Sequence, residues 1–218
     1  MPALYSFLAL FAGSVIAMAA TRRIPCDDRM LRLVISLLSI QAFCLVAMLL
    51  SLIPLMRRHG IRQSLGMPST MPSLRESLKH IAFSLLILYP AILLVTPAAN
   101  WFCRRLNIPI VEQAFAKLPP DAGLPYIVLL VLACVIVAPA TEETMMRLIL
   151  FRAIRSRWRS GAFFLAPAVF AVCHGCPQYT PGLFLVGLAL QMAQRKGGLP
   201  LSISLHAAYN AISLIMLN

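Results

Sequence analysis

Apolar runs of about twenty residues recur along this chain, long enough for an α-helix to cross the roughly 30 Å hydrocarbon core of a bilayer. No other feature constrains the fold so tightly. In hydrocarbon, every backbone N–H and C=O must find its partner within the protein, so spanning segments are helices or closed barrels. The runs lack the period-2 alternation of barrel strands. Of 218 residues, 60% are hydrophobic and 12% charged, more apolar surface than a soluble domain of this size requires. The expected fold is therefore all-α: a polytopic membrane helical bundle of about seven spans (six to eight).

The spans are expected over residues 3–20, 33–55, 81–99, 126–155, 162–174, 182–193 and 199–217. Residues 1–20 start without a basic stretch, so the first run reads as a helix and not as a removed signal. Ser73-Leu-Arg-Glu76 has capping-box spacing and predicts a helix start near Ser73. Ile108 to Ala116 is expected as a short interfacial helix before Pro119-Pro120. Pro139 is expected to kink the fourth span, which carries a Glu-Glu pair. Two regions follow: residues 1–123 as N-terminal helices and loops, a candidate specificity region, and 124–218 as a helical core. No internal repeat or soluble domain is present.

The net charge is +12, and its distribution argues against nucleic acid, because the arginines flank apolar spans. They read as topogenic charges facing anionic lipid. With the N-terminus inside, the inner loops carry eleven Lys and Arg and the outer loops seven, which favours that orientation. The six cysteines show no repeated paired spacing, so no disulfide framework is expected. Cys173-His-Gly-Cys176 is a CxxC whose members read as packing residues.

Against this apolar background stands Pro139-Ala-Thr-Glu-Glu-Thr-Met-Met-Arg147. Two of the chain's seven carboxylates are adjacent here, with an arginine four residues after the second. A charge at membrane depth costs roughly 2.5–3.5 kcal/mol, and such residues face protein or a water-lined interior. Glu143 and Arg147 form an i, i+4 pair with the glutamate N-terminal, the favoured order. Counting outward from a hairpin turn near Trp158, Glu142 and His174 fall at equal depth. On the last span His206 and Asn210 share one face, which Ser202 and Ser213 extend.

This set describes amide hydrolysis by an activated water. Glu142 is the general base, with His174 sharing the water or protonating the leaving group. His206 and Asn210 are hydrogen-bond donors for an oxyanion. Serine hydrolysis is disfavoured, because no GxSxG occurs. Zinc is the rival: Glu142, His174 and His206 are possible ligands with water at an open position. Against it, there is no HExxH and Arg147 would oppose a cation. Two non-hydrolytic readings use the same residues: a network that only holds helices together, as in an immunity or scaffold protein, and a proton relay in a transporter. The absence of an inverted repeat argues against the relay.

Three motifs resemble a known family. Glu142-Glu-Thr-Met-Met-Arg147 matches EExxxR, Phe170-Ala-Val-Cys-His174 matches FxxxH, and His206-Ala-Ala-Tyr-Asn210 matches HxxxN. In this order, on successive apolar helices, they are similar to the CAAX-protease and bacteriocin-processing family of intramembrane proteases, often called CPBP or Abi. The resemblance covers roughly residues 126–218. It implies a glutamate-type endopeptidase, historically labelled a metalloprotease, with Glu142 as base, His174 as its partner, His206 and Asn210 as the oxyanion pair, and Glu143 and Arg147 in support. It further implies a membrane-tethered peptide or protein tail as substrate, membrane lipid as surroundings and no required cofactor; the charge placement points to no nucleic acid as partner, and with no eukaryotic targeting signal in view a multi-pass protein of the bacterial cytoplasmic (inner) membrane is expected.

Overall fold

The computed structural model describes residues 29–111 and 123–217. The first expected span and most of the expected interfacial helix lie outside these residues. Residues 108–111 are non-helical. No strand occurs among the described residues.

Helix α1 covers Arg29–His59 and is followed by the single turn α2, Ile61–Ser64. Helix α3, Leu74–Arg105, starts where the capping box places it. The Ser73 side chain accepts from the Glu76 N–H, and the Glu76 carboxylate accepts from the Ser73 N–H at 2.7 Å. Pro90 and Pro97 lie inside α3, and Thr96 returns its hydroxyl to the Ile92 carbonyl.

Helix α4 runs from Leu124 to Arg155. Its middle is not uniform. π-helical segments occupy Leu132–Val137 and Thr144–Leu150, on either side of the α-helical turns Ala138–Glu143 that carry Pro139 and the two glutamates. π-turns of this kind are rare and concentrate at functional sites. Within the first segment the Ala138 N–H bonds the Ala133 carbonyl, five residues back. The next donor in that register would be residue 139, and proline has none.

After a turn over residues 156–161 comes α5, Ala162–Cys173. A short 3₁₀ turn, Pro177–Tyr179, leads into the helical stretch Thr180–Met216. That stretch is not one straight rod. Gly198 has φ 70°, outside the helical region, and Ser202 donates to the Leu190 carbonyl at 3.1 Å. In a straight helix twelve residues would separate these groups by about 18 Å. The chain therefore doubles back at Gly198, giving α6 (180–197) and α7 (199–216). A Cβ on residue 198 would fall 2.8 Å from the Met67 Cα, so glycine is required both by the left-handed conformation and by the loop lying against it.

Among the described residues four helices are long and apolar enough to cross a membrane: Val34–His59, Leu74–Arg105, Leu124–Arg155 and Pro177–Met216, the last containing the α6–α7 reversal. The chain is an integral membrane protein. Large apolar side chains such as Leu94, 78% exposed, cover the outside, as expected where the solvent is lipid. The main buried cluster joins Leu88 of α3, Met146 of α4, Phe170 of α5, Leu190 of α6 and Leu205 of α7. Helices α5 and α6 approach closely, because a Cβ at Gly187 would meet Pro167 at 2.9 Å.

The basic residues of 57–79, 152–159 and 195–196 gather at one end of the bundle. Arg152 donates to the Ser64 carbonyl at 2.7 Å, the Leu199 N–H reaches the Leu65 carbonyl, Arg195 lies over the Phe163 ring at 4.5 Å, and Lys196 is within electrostatic reach of Glu76 and His80.

Candidate active site

The two glutamates of α4 are adjacent in sequence but differ in surroundings. Glu143 has no exposed surface and three partners. Its Oε2 accepts from Arg147 Nε at 2.8 Å and from the Ser202 hydroxyl, while Oε1 faces His206 Nδ1 at 3.3 Å. Arg147, 1% exposed, spends its remaining donors on α6: Nη1 to Gln191 Oε1 at 3.1 Å and Nη2 to the Gly187 carbonyl at 3.3 Å. Glu143 and Arg147 thus tie α4 to both limbs of the hairpin at Gly198. A buried guanidinium is tolerated only when paired and hydrogen-bonded in this way.

Glu142 has a side chain 28% exposed, and its Oε2 atom is itself buried without a hydrogen-bond partner. The nearest basic nitrogen is His206 Nε2 at 3.9 Å. His206 therefore stands between the two carboxylates, one ring nitrogen towards each. Its ring is also 5.7 Å from that of Phe170, which in turn is 4.7 Å from His174. Phe170 is the wedge that spaces the two imidazoles.

His174 caps the C-terminal end of α5, and its Nδ1 is 2.7 Å from the Phe170 carbonyl. A carbonyl only accepts, so Nδ1 donates this bond and Nε2 is the ring nitrogen left to meet other groups. The histidine joins the cluster through Phe170, and no hydrogen bond links it to Glu142 among the described residues. The turn-counting estimate assumes regular helices. The π segments of α4 and the position of His174 beyond the last turn of α5 both alter that geometry.

Asn210 donates from Nδ2 to the Cys134 carbonyl at 2.8 Å. This is the carbonyl that a donor at position 139 would take in the π register, so the asparagine amide replaces the N–H that Pro139 lacks. The amide nitrogen carries two hydrogens, and one suffices for this bond.

Ser202 and Ser213, on the polar face of α7, have separate tasks. Ser202 bonds Glu143, whereas Ser213 meets the Tyr89 hydroxyl at 3.0 Å beside a Tyr89–Tyr209 ring stack. Gln191 and Gly187 escape sequence reasoning. A single glutamine in an apolar run has no periodicity, and only its spacing of four from Gly187 marks the helix face that receives Arg147. The cysteines 103, 134, 173 and 176 are free thiols. Among the described residues no three His, Cys, Asp or Glu side chains converge as metal ligands.

Residues 124–212 match the family model described as Type II CAAX prenyl endopeptidase Rce1-like. Over this segment the chain is similar to the CAAX-protease family. The match contains all three motifs and the contacts among Glu142, Glu143, Arg147, Ser202 and His206 described above. An Escherichia coli protein described as "Uncharacterized 24.3 kDa protein" is similar to the chain, 35% identical over 112 residues, covering 48% of this chain. The matched region spans about half, 51%, of that relative. No solved structure matches the chain.

Proposed function

We propose that the chain is an intramembrane endopeptidase that cleaves a membrane-tethered peptide or C-terminal protein tail with a water activated by Glu142. The observation that carries this reading is the contrast between the glutamates. Glu143 is saturated by Arg147, Ser202 and His206, while the partly exposed Glu142 keeps a buried oxygen with no partner. A general base needs a free lone pair within reach of its water, and of the two glutamates Glu142 is the one that keeps an unpartnered oxygen.

In this reading Glu142 takes a proton from water, and the resulting hydroxide attacks the scissile carbonyl. His174 Nε2 shares that water and relays the proton held by Glu142 to the leaving amine, which returns Glu142 to its carboxylate form. His206 and Asn210 donate to the oxyanion, Asn210 with the hydrogen not used by Cys134. Glu143 and Arg147 hold His206 and the helix register. No metal takes part. The long helix opens at Pro139, the chain crosses the membrane with about seven segments, and residues 1–123 select the substrate while 124–218 carry the chemistry. An apolar groove of about 440 Å³ lined by Leu94, Phe102, Pro177 and Pro181 ends three residues from His174 and suits the lipid anchor of a tethered tail. The setting is the bacterial cytoplasmic (inner) membrane.

The test uses purified protein in detergent and a quenched fluorescent tail peptide, supplied with and without a prenyl group. Glu142→Ala and His174→Ala are expected to abolish cleavage while the protein elutes as one folded species. Full activity in either variant overturns the proposal. Cleavage that persists in excess chelator supports the metal-free mechanism, and its loss, restored by zinc, overturns that part.

A further inference from the structure

Hydrolysis within a membrane needs a supply of water, and apolar helix faces do not conduct it. Helix α6 carries two glutamines three residues apart, Gln191 and Gln194, on one side of the helix. Gln191 has no exposed surface and Gln194 is 9% exposed. Each keeps one buried polar atom without a protein partner: Nε2 of Gln191, a donor, and Oε1 of Gln194, an acceptor. An unsatisfied buried amide is costly, and a polar site of this kind is where bridging water belongs.

The neighbours at each end continue the line. Towards the basic end, a Cβ at Gly66 would lie 2.6 Å from Gln194 Nε2 and 3.6 Å from Arg152 Nη2, so this glycine leaves the glutamine and the arginine space beside the loop. Towards the interior, Gln191 Oε1 holds Arg147, Arg147 holds Glu143, and Glu143 meets Ser202 and His206, whose Nε2 faces Glu142. Polar groups therefore follow one another from the basic end of the bundle to the glutamates, beside an apolar cluster that includes Leu190 and Leu205.

We propose that Gln194 and Gln191 line a water file leading from the basic end of the bundle to the Glu143–His206–Glu142 cluster. Its role as the supply of hydrolytic water rests on the endopeptidase reading; the file itself does not. Substrate arrives from the lipid side, where Glu142 is partly exposed, and water arrives along α6.

Substituted-cysteine labelling tests the file without any substrate. In a background with the six native cysteines replaced, single cysteines are placed at Gln191, Gln194 and Met192 in lipid vesicles and treated with a small water-soluble thiosulfonate. Only the thiolate reacts, and thiolate forms where water reaches, so Gln191→Cys and Gln194→Cys are expected to label about tenfold faster than Met192→Cys. Met192 is 50% exposed on the bare protein and Gln191 is not exposed at all, so exposure alone gives the opposite order. Adding Gln194→Leu is expected to slow labelling at Gln191→Cys. Labelling at both glutamine positions no faster than at Met192→Cys overturns the file. If Gln191→Cys does not remain monodisperse, Gln194→Cys against Met192→Cys decides. Fast labelling in a protein that cleaves no tail peptide keeps the file and removes the endopeptidase reading.

Discussion

At the scale of residues, the two adjacent glutamates are expected to separate cleanly under mutation. Glu142→Gln removes a base whose Oε2 has no partner, so stability should stay within about 0.5 kcal/mol while tail cleavage falls by at least ~10²-fold. Arg147→Leu leaves the Glu143 carboxylate buried without its cation, a change that costs about 3–5 kcal/mol. Thermal melting in detergent and peptide cleavage, measured on the same preparations, check both. A large loss of stability in Glu142→Gln would remove the distinction. The sequence made the pair conspicuous through its cost in an apolar run, but both glutamates carry the same price there. Their assignment depends on which one meets Ser202, a residue fifty-nine positions away.

At the scale of elements, α4 carries π-helical turns in its middle, and a neighbouring helix supplies a donor to one of them. Pro139 removes the donor that would serve the Cys134 carbonyl, and Asn210 of α7 supplies one. Asn210→Ala should therefore destabilise the protein by about 1–2 kcal/mol. Pro139→Ala restores a backbone donor and should make the loss of the asparagine amide cheaper, which a double-mutant cycle of melting temperatures reads as coupling. Additive effects would show that the two positions act separately. The α5–α6 contact gives a second expectation. Gly187→Ala places a methyl 2.9 Å from Pro167 Cβ, and overpacking of this kind costs roughly 1–3 kcal/mol. The same variant moves the carbonyl that holds Arg147, so activity should fall with stability. Helix existence was legible in the apolar runs, and the start of α3 in its capping box. The π segments were not; the first sits where Pro139 lacks a donor and the Asn210 amide arrives from another helix.

At the scale of the whole molecule, eleven Lys and Arg of the segments 57–79, 152–159 and 195–196 lie at one end of the bundle with Glu76 as the carboxylate of those segments. The positive end is expected to face the cytoplasm. A Ser69→Cys variant, placed in the exposed loop before α3, should react with an impermeant thiol reagent in inverted vesicles and not in right-side-out ones; the reverse result would invert the orientation. By itself the sequence determined the all-helical membrane class, the places of the long apolar helices, the polarity of the ends and the identity of the charged residues. These follow from local quantities: run length, the cost of burying a charge, and helical spacing. Only the tertiary structure decided that the chain reverses at Gly198, that His174 reaches the cluster through Phe170, and that Gln191 and Ser202 fix Arg147 and Glu143. Those contacts join residues far apart in the chain, and their geometry is set by packing between helices, which no local pattern in the sequence encodes.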